Sequence, residues 1–86
     1  MDDTLHLTLI NPVQLGDTEY SEITLTEPTA GQLESALKER QQTTANIVLI
    51  AAVAKIPPGA VRKMGLRDFN KCVQFLEGFT KGEEGE

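Results

Sequence analysis

Two stretches near the start of the chain place an apolar side chain at every second position, residues 5–10 and residues 20–26. Successive side chains of a strand point to opposite faces, so this period of two predicts two half-buried strands. Gly16 and Asp17 supply a turn between them, which predicts a β-hairpin. Pro12 cannot donate a ladder hydrogen bond, so we place it at the end or edge of the first strand. The residues predicted to point inward are Leu5, Leu7, Leu9, Ile23 and Leu25.

Beyond the hairpin the apolar residues recur at helical spacing. Thr29 followed three residues later by Gln32 resembles a capping box and predicts the start of a first helix. Thr43 or Thr44 is expected to cap a second helix that runs to about Lys55. The apolar stripe of the first helix comprises Ala30, Leu33, Ala36 and Leu37.

Two further helices are predicted after the helix-breaking segment Pro57-Pro58-Gly59. Pro58 suits the first turn of a short helix through Met64, where its missing N–H costs nothing. A last helix is expected from about Arg67 to Gly78, with Asp68 near its positive N-terminal end. Its apolar face comprises Phe69, Cys72, Val73, Leu76 and Phe79.

The elements together predict an α+β fold, with an N-terminal β-hairpin followed by three or four helices and the second helix central and apolar. Residues 47–54 leave that helix no polar face, and such a helix must be covered on every side. Either it threads the middle of the domain, or a partner buries part of it. Residues 1–80 are predicted to form one domain and residues 81–86 a disordered acidic tail. The predicted core is Leu33, Leu37, Ile50, Val53, Phe69, Val73 and Leu76.

Charge is unevenly distributed along the 86 residues, whose net charge is −5. Residues 1–39 contain eight acids and one base, whereas residues 40–67 contain five bases and no acid. The overall charge argues against a general nucleic-acid binder. Two interpretations of the basic middle stay open: it faces the acidic surface of the fold or solvent, or it docks an acidic segment of a partner.

The composition also argues against catalysis, metal binding and membrane insertion. The single cysteine and single histidine exclude a disulfide framework and a Cys/His zinc cage. His6 is expected on the polar face of its strand and Cys72 on the apolar stripe of its helix, so they do not predict a nucleophile and base. We expect no enzyme activity and no cofactor. The apolar run of residues 47–54 is too short to span a bilayer, and the acidic start lacks the basic region of a secretion signal, which predicts a cytoplasmic protein.

The order of these features resembles the tail assembly chaperones of Mu-like and P2-like contractile-tailed bacteriophages. The resemblance covers about Leu5 to Phe79 and lies in three segments, residues 9–13, 23–33 and 64–69. The second segment contains the strand, the Glu-Pro-Thr sequence and the helix start, and the third contains Leu66-Arg67-Asp68. Gln32 stands where the family often has an acid, which is a departure from the pattern.

The resemblance implies a protein made in the cytoplasm of the bacterial host and not retained in the mature virion. Such a protein binds the long helical tape measure protein, and the tail tube protein is a further candidate partner. Two alternatives stay open, a small regulatory or nucleic-acid-binding accessory protein that uses the basic segment, and a structural phage tail subunit.

The partner-binding hypothesis combines apolar residues of the second helix with nearby bases. An amphipathic client helix would place its apolar stripe on the apolar residues and its acidic edge along the bases. Without a client, the same uncovered surface predicts self-association. The hypothesis is that at least one residue among Ile47, Val48 and Leu49 is accessible, flanked by Arg62, Lys63 and Arg67.

Overall fold

The computed structural model describes residues 4–81 of the chain. In this range an antiparallel β-hairpin is followed by four helices, which confirms the predicted α+β class. Of the acidic tail predicted over residues 81–86, residues 82–86 lie outside the described residues. The elements are β1 (Leu5–Leu15), β2 (Thr18–Leu25), α1 (Ala30–Leu37), α2 (Gln42–Ala54), α3 (Pro58–Arg62) and α4 (Leu66–Lys81).

The hairpin closes through the predicted two-residue turn. Leu15 pairs with Thr18, and Gly16 between them adopts a left-handed φ of 62°, which glycine reaches without steric cost. The alternation is also confirmed, since the inward side chains of both strands are buried apart from Leu5, which is half-buried. One face of the hairpin therefore covers the helices, and the other is open to solvent.

The first strand is longer than predicted, because it does not end at Asn11 and Pro12. It continues through a wide bulge in which residues 9–12 stand opposite Ser21 alone, and regular pairing resumes at Val13 with Tyr20. Extra residues on one strand leave local backbone groups without a ladder partner. Pro12 is tolerated within the strand because it lies in this bulge and has no N–H to satisfy.

A buried carboxylate from α4 satisfies the backbone of the bulge. Asp68 is only 1% exposed, and its Oδ2 accepts hydrogen bonds from the N–H groups of Ile10 (2.9 Å) and Asn11 (3.4 Å). The start of α4 also approaches this strand closely, since a Cβ at Gly65 would lie 3.1 Å from Asn11 Nδ2. Two segments almost 60 residues apart in sequence are thus joined. The prediction placed Asp68 at the start of the helix but missed this contact.

The capping box at α1 is confirmed in both directions. Thr29 Oγ1 accepts from the Gln32 N–H at 3.1 Å, and Gln32 Oε1 accepts from the Thr29 N–H at 2.9 Å. The predicted stripe of α1 is wrong at both ends, because Ala30 is exposed, Leu37 is 66% exposed and only Ala36 of this helix is buried. The helix is eight residues long and ends at Leu37, so its last turn extends beyond the surface that covers it.

The second helix begins two or three residues earlier than expected. Gln41 is its N-cap and makes no side-chain capping bond, so the prediction of a Thr43 or Thr44 cap is wrong. The helix ends at Lys55, which adopts a left-handed φ of 63°. It packs against β2, α1, α3 and α4, yet Ala52 is exposed. Its predicted enclosure at the centre of the fold is therefore not confirmed.

The core lies between the inner face of the hairpin and the four described helices. Of the predicted core residues, Ile50, Val53, Phe69 and Leu76 are buried, and Leu33 and Val73 are half-buried. Pro58 occupies the first turn of α3 as predicted. Buried residues that the prediction did not include are Val13, Ala45, Leu49, Ala51, Ala60, Val61 and Met64.

Candidate partner-binding surface

A shallow apolar cleft opens between α2, α3 and the start of α4. Its volume is about 120 Å³. That is comparable to the roughly 150 Å³ cavity that admits a benzene-sized group in another protein. The cleft can therefore accept about one large apolar side chain. Its lining residues are Thr43, Ile47, Val61, Arg62, Met64, Leu66 and Phe69.

The local fold explains why the cleft is apolar yet open. Val61, Met64 and Phe69 are buried and form its floor, and Ile47 of α2 is half-buried. Leu66, the first residue of α4, is 73% exposed and forms part of the rim. Leu66 is thus the accessible apolar side chain of the cleft, beside a floor that is itself buried.

The cleft is also electropositive at its edge. None of its lining residues is an acid, and Asp68, which lies between Leu66 and Phe69 in sequence, is buried against β1. Arg62 lines the cleft, and Arg67 directly follows the rim residue Leu66. Both arginines are exposed, and neither forms an ion pair with another residue between 4 and 81. Their charges are therefore open to a partner.

The structure brings together only part of the predicted site. Ile47 and Arg62 lie in the same cleft, as the hypothesis requires. Leu49 is buried at 6% exposure, so its side chain faces the core rather than a partner. Val48 is half-buried, packs against the core and is not a lining residue.

The three predicted bases lie in different places on the structure. Arg62 lines the cleft, whereas the Lys63 side chain extends to the hairpin and its Nζ donates to the Gln14 carbonyl oxygen at 3.2 Å. Arg67 is exposed at the start of α4. Lys63 thus holds α3 against β1, and Arg62 is the base best placed to meet a group bound in the cleft.

Sequence reasoning missed Leu66, although a signal for it was present. Leu66 precedes Phe69 by three residues and Val73 by seven, which places it on the apolar stripe of α4. The helix was predicted to start one residue later, so Leu66 was not assigned to it. A stripe residue that the fold leaves 73% exposed is a candidate for contact with another molecule.

The two candidates for catalytic chemistry occupy different environments. His6 is exposed on the hairpin, where its Nδ1 lies 3.2 Å from Thr24 Oγ1. Cys72 is fully buried in α4, and desolvation together with the nearby Asp68 charge raises the pKa of its thiol to about 11. A thiol with that pKa is protonated at neutral pH and a poor nucleophile.

Neither a metal-ligand cluster nor a membrane-spanning helix is present in the described part of the chain. Among residues 4–81, no group of three or more His, Cys, Asp or Glu side chains is arranged to hold a metal ion. No helix in the same range combines the length and apolarity needed to cross a membrane.

Comparison with known proteins gives one match. The sequence model of the family described as "Phage tail assembly chaperone proteins, E, or 41 or 14" matches residues 6–81, which is most of the chain. No curated protein and no solved structure matches the chain significantly. The matched range contains both strands almost completely, all four described helices and every lining residue of the cleft.

Proposed function

This chain belongs to the phage tail assembly chaperone family, and from that premise we propose that it binds the tape measure protein and keeps it soluble while tail tube subunits assemble around it. The site of action is the cytoplasm of the infected or lysogenic bacterium. The protein acts by binding, without a chemical step and without a cofactor. The tail tube protein is a second partner that would take over the tape measure protein on release.

The observation that supports this proposal best is the apolar cleft with its exposed rim. A long helical client has apolar stripes that would aggregate before the tube encloses them. A small protein with an exposed Leu66, a half-buried Ile47 and an Arg62 that has no acidic partner among residues 4–81 offers such a stripe an apolar and basic contact. A cleft for about one side chain favours weak, reversible binding at each contact, which suits a client that must be released.

The test is co-expression of the tape measure protein with and without this chain. The proposal predicts that the tape measure protein is mostly insoluble when expressed alone. With this chain it should be recovered in the soluble fraction and co-purify with an affinity-tagged copy. A tape measure protein whose solubility is unchanged by the chain, and which does not co-purify, would exclude the proposed function.

The nucleic-acid alternative has a separate test. A duplex of mixed sequence is titrated with the purified chain at low and high salt, since phosphate-driven affinity falls steeply with salt. We expect no binding at about 0.15 M salt, because the net charge is −5 and Lys63 is engaged with the hairpin. Tight, salt-sensitive duplex binding together with no effect on the tape measure protein would favour the accessory-protein alternative.

A further inference from the structure

We propose that the cleft between α2, α3 and the start of α4 is the client site, and that it takes an acidic amphipathic helix of the client by inserting one large apolar side chain. This inference rests on the proposed function and locates it on the molecule. It differs from the site expected from the sequence, because it is centred on Leu66, Ile47 and Arg62 and omits the buried Leu49.

The apolar part of the site determines the size of the inserted group. Val61, Met64 and Phe69 are buried residues at the floor of the cleft, and the space above them is about 120 Å³. A leucine- or phenylalanine-sized side chain would fill this space and contact Leu66 on the rim. Fully desolvated apolar anchors of this kind supply most of the binding energy in helix-in-groove recognition.

Charge complementarity determines the rest of the ligand. Arg62 and Arg67 are exposed, and neither has an acidic partner within residues 4–81. On a helix, residues three or four positions apart lie on the same face, about 5–6 Å apart. A carboxylate one turn from the inserted side chain can therefore reach Arg62. The preferred client segment has Leu or Phe with Asp or Glu three or four residues away.

A second copy of this chain is the main competing occupant. Leu37 of α1 is 66% exposed, and Glu34 is exposed one turn before it, so α1 carries the same combination on its own surface. However, α1 has only eight residues and is packed along α2 within its own protomer. Self-association through Leu37 would therefore bury little further surface, whereas a long client helix can extend beyond the cleft. We commit to the client as the occupant.

The test uses four charge-changing variants of the full chain, co-expressed with the full-length tape measure protein. Leu66→Asp and Arg62→Glu alter the cleft. Leu37→Asp and Arg40→Glu are matched controls, because they make the same changes at exposed positions that do not line the cleft. An aspartate at position 66 is favourable at a helix N-terminus, so Leu66→Asp should stay folded, and circular dichroism checks this.

The expected result is selective loss of client binding. Leu66→Asp should weaken the complex by at least about tenfold, as removal of a central anchor does. Arg62→Glu should weaken it less and slow association, and it should reduce the dependence of binding on salt. Both control variants should bind within about twofold of the unmodified chain, as expected for positions outside an interface.

Three results would overturn the inference, and each is distinct from failure of the proposed function. Unaltered binding by both cleft variants would exclude the cleft. Equal losses in Leu66→Asp and Leu37→Asp would show that position 66 has no specific role. Loss of a homo-oligomer in those two variants with client binding retained would assign the cleft to a second copy. If the unmodified chain itself fails to bind the tape measure protein, the proposed function fails first.

Discussion

Asp68 joins the last helix to the first strand through a single carboxylate oxygen. Its Oδ2 accepts from the N–H groups of Ile10 and Asn11, which lie in the bulge that interrupts the hairpin ladder. Its Oδ1 is buried and has no hydrogen-bond partner in the described part of the chain. Two interactions offset the cost of burying this charge, the hydrogen bonds that Oδ2 accepts and the positive N-terminal end of the α4 dipole. The same contact fixes the start of α4, where Leu66 forms the rim of the cleft.

Replacement of Asp68 should therefore destabilise the fold strongly. Asp68→Ala leaves two backbone donors unsatisfied and should lower the free energy of unfolding by about 2–4 kcal/mol. Asp68→Asn keeps an acceptor but loses the charge and places an amide donor where Oδ1 has no partner. Its loss of unfolding free energy should therefore be smaller than that of Asp68→Ala or similar to it. Denaturant melts measure both, with the exposed Asn70→Ala on the same helix as a control. A change below about 0.5 kcal/mol in Asp68→Ala would contradict this role.

Cys72 should make stability depend on alkaline pH. Burial raises the pKa of its thiol from 9.0 to about 11, so the folded chain retains a proton that the unfolded chain loses. The stabilising contribution is present below pH 9 and is lost as pH rises to about 11. The stability advantage over Cys72→Ala should be constant up to pH 9 and then decrease by an amount on the order of 2 kcal/mol.

Comparison of the unmodified chain with Cys72→Ala cancels any pH dependence that the two proteins share. If the two stability profiles stay parallel through pH 11, the thiol does not titrate as its burial requires. Cys72→Ser serves a different purpose, because the thiol acts as a small apolar group. That variant should lose stability but keep client binding, and loss of binding in a folded Cys72→Ser protein would show a role that burial does not explain.

The end of α2 has a strained backbone in a position that glycine usually occupies. Lys55 adopts the left-handed conformation, and the Ile56 N–H then donates to the Ala51 carbonyl oxygen at 3.1 Å. This pattern matches a Schellman-type helix end, with the apolar Ile56 packed against the core. The left-handed conformation turns the chain toward Pro57 and α3. Helix α3 in turn contributes two lining residues of the cleft, Val61 and Arg62.

Lys55→Gly should consequently stabilise the protein. A left-handed conformation costs a residue with a Cβ about 1–2 kcal/mol, and glycine removes this cost. The larger conformational entropy of glycine in the unfolded chain cancels part of the resulting gain in stability. The expected net gain is about 0.5–1 kcal/mol in thermal or denaturant melts. Lys55→Ala keeps the strain and should show no gain. If both variants have the same stability, the side chain of residue 55 is not under strain at this position.

Local signals in the sequence predicted most elements but not how they meet. The period of two, the Thr29 capping box and Pro58 each act within a few residues, and the structure confirms them. The bulge in β1 depends on Asp68, almost 60 residues away, so no local pattern could place it. The exposure of Leu37 and Leu66 could not be predicted for a similar reason. Periodicity identifies an apolar stripe but does not show how far other elements cover it.

At the scale of the whole molecule, charge and apolar surface are arranged together. The acid-free residues 40–67 form α2, α3 and the start of α4, and these elements enclose the cleft. The acids of residues 1–39 lie on the hairpin and around α1 wherever the structure describes them. The cleft therefore lies in the basic part of a chain whose net charge is −5. Such an arrangement would favour the acidic amphipathic client that we propose.

The measurement that tests the central claim most directly is the amount of this chain at two stages of tail assembly. Quantitative mass spectrometry compares tape measure complexes purified from infected or induced bacteria with finished phage particles. A chaperone that binds and is then released should be abundant in the complexes and absent from the particles. Recovery of the chain from finished particles in proportion to the tail proteins, with none in the tape measure complexes, would contradict the account and indicate a structural tail subunit.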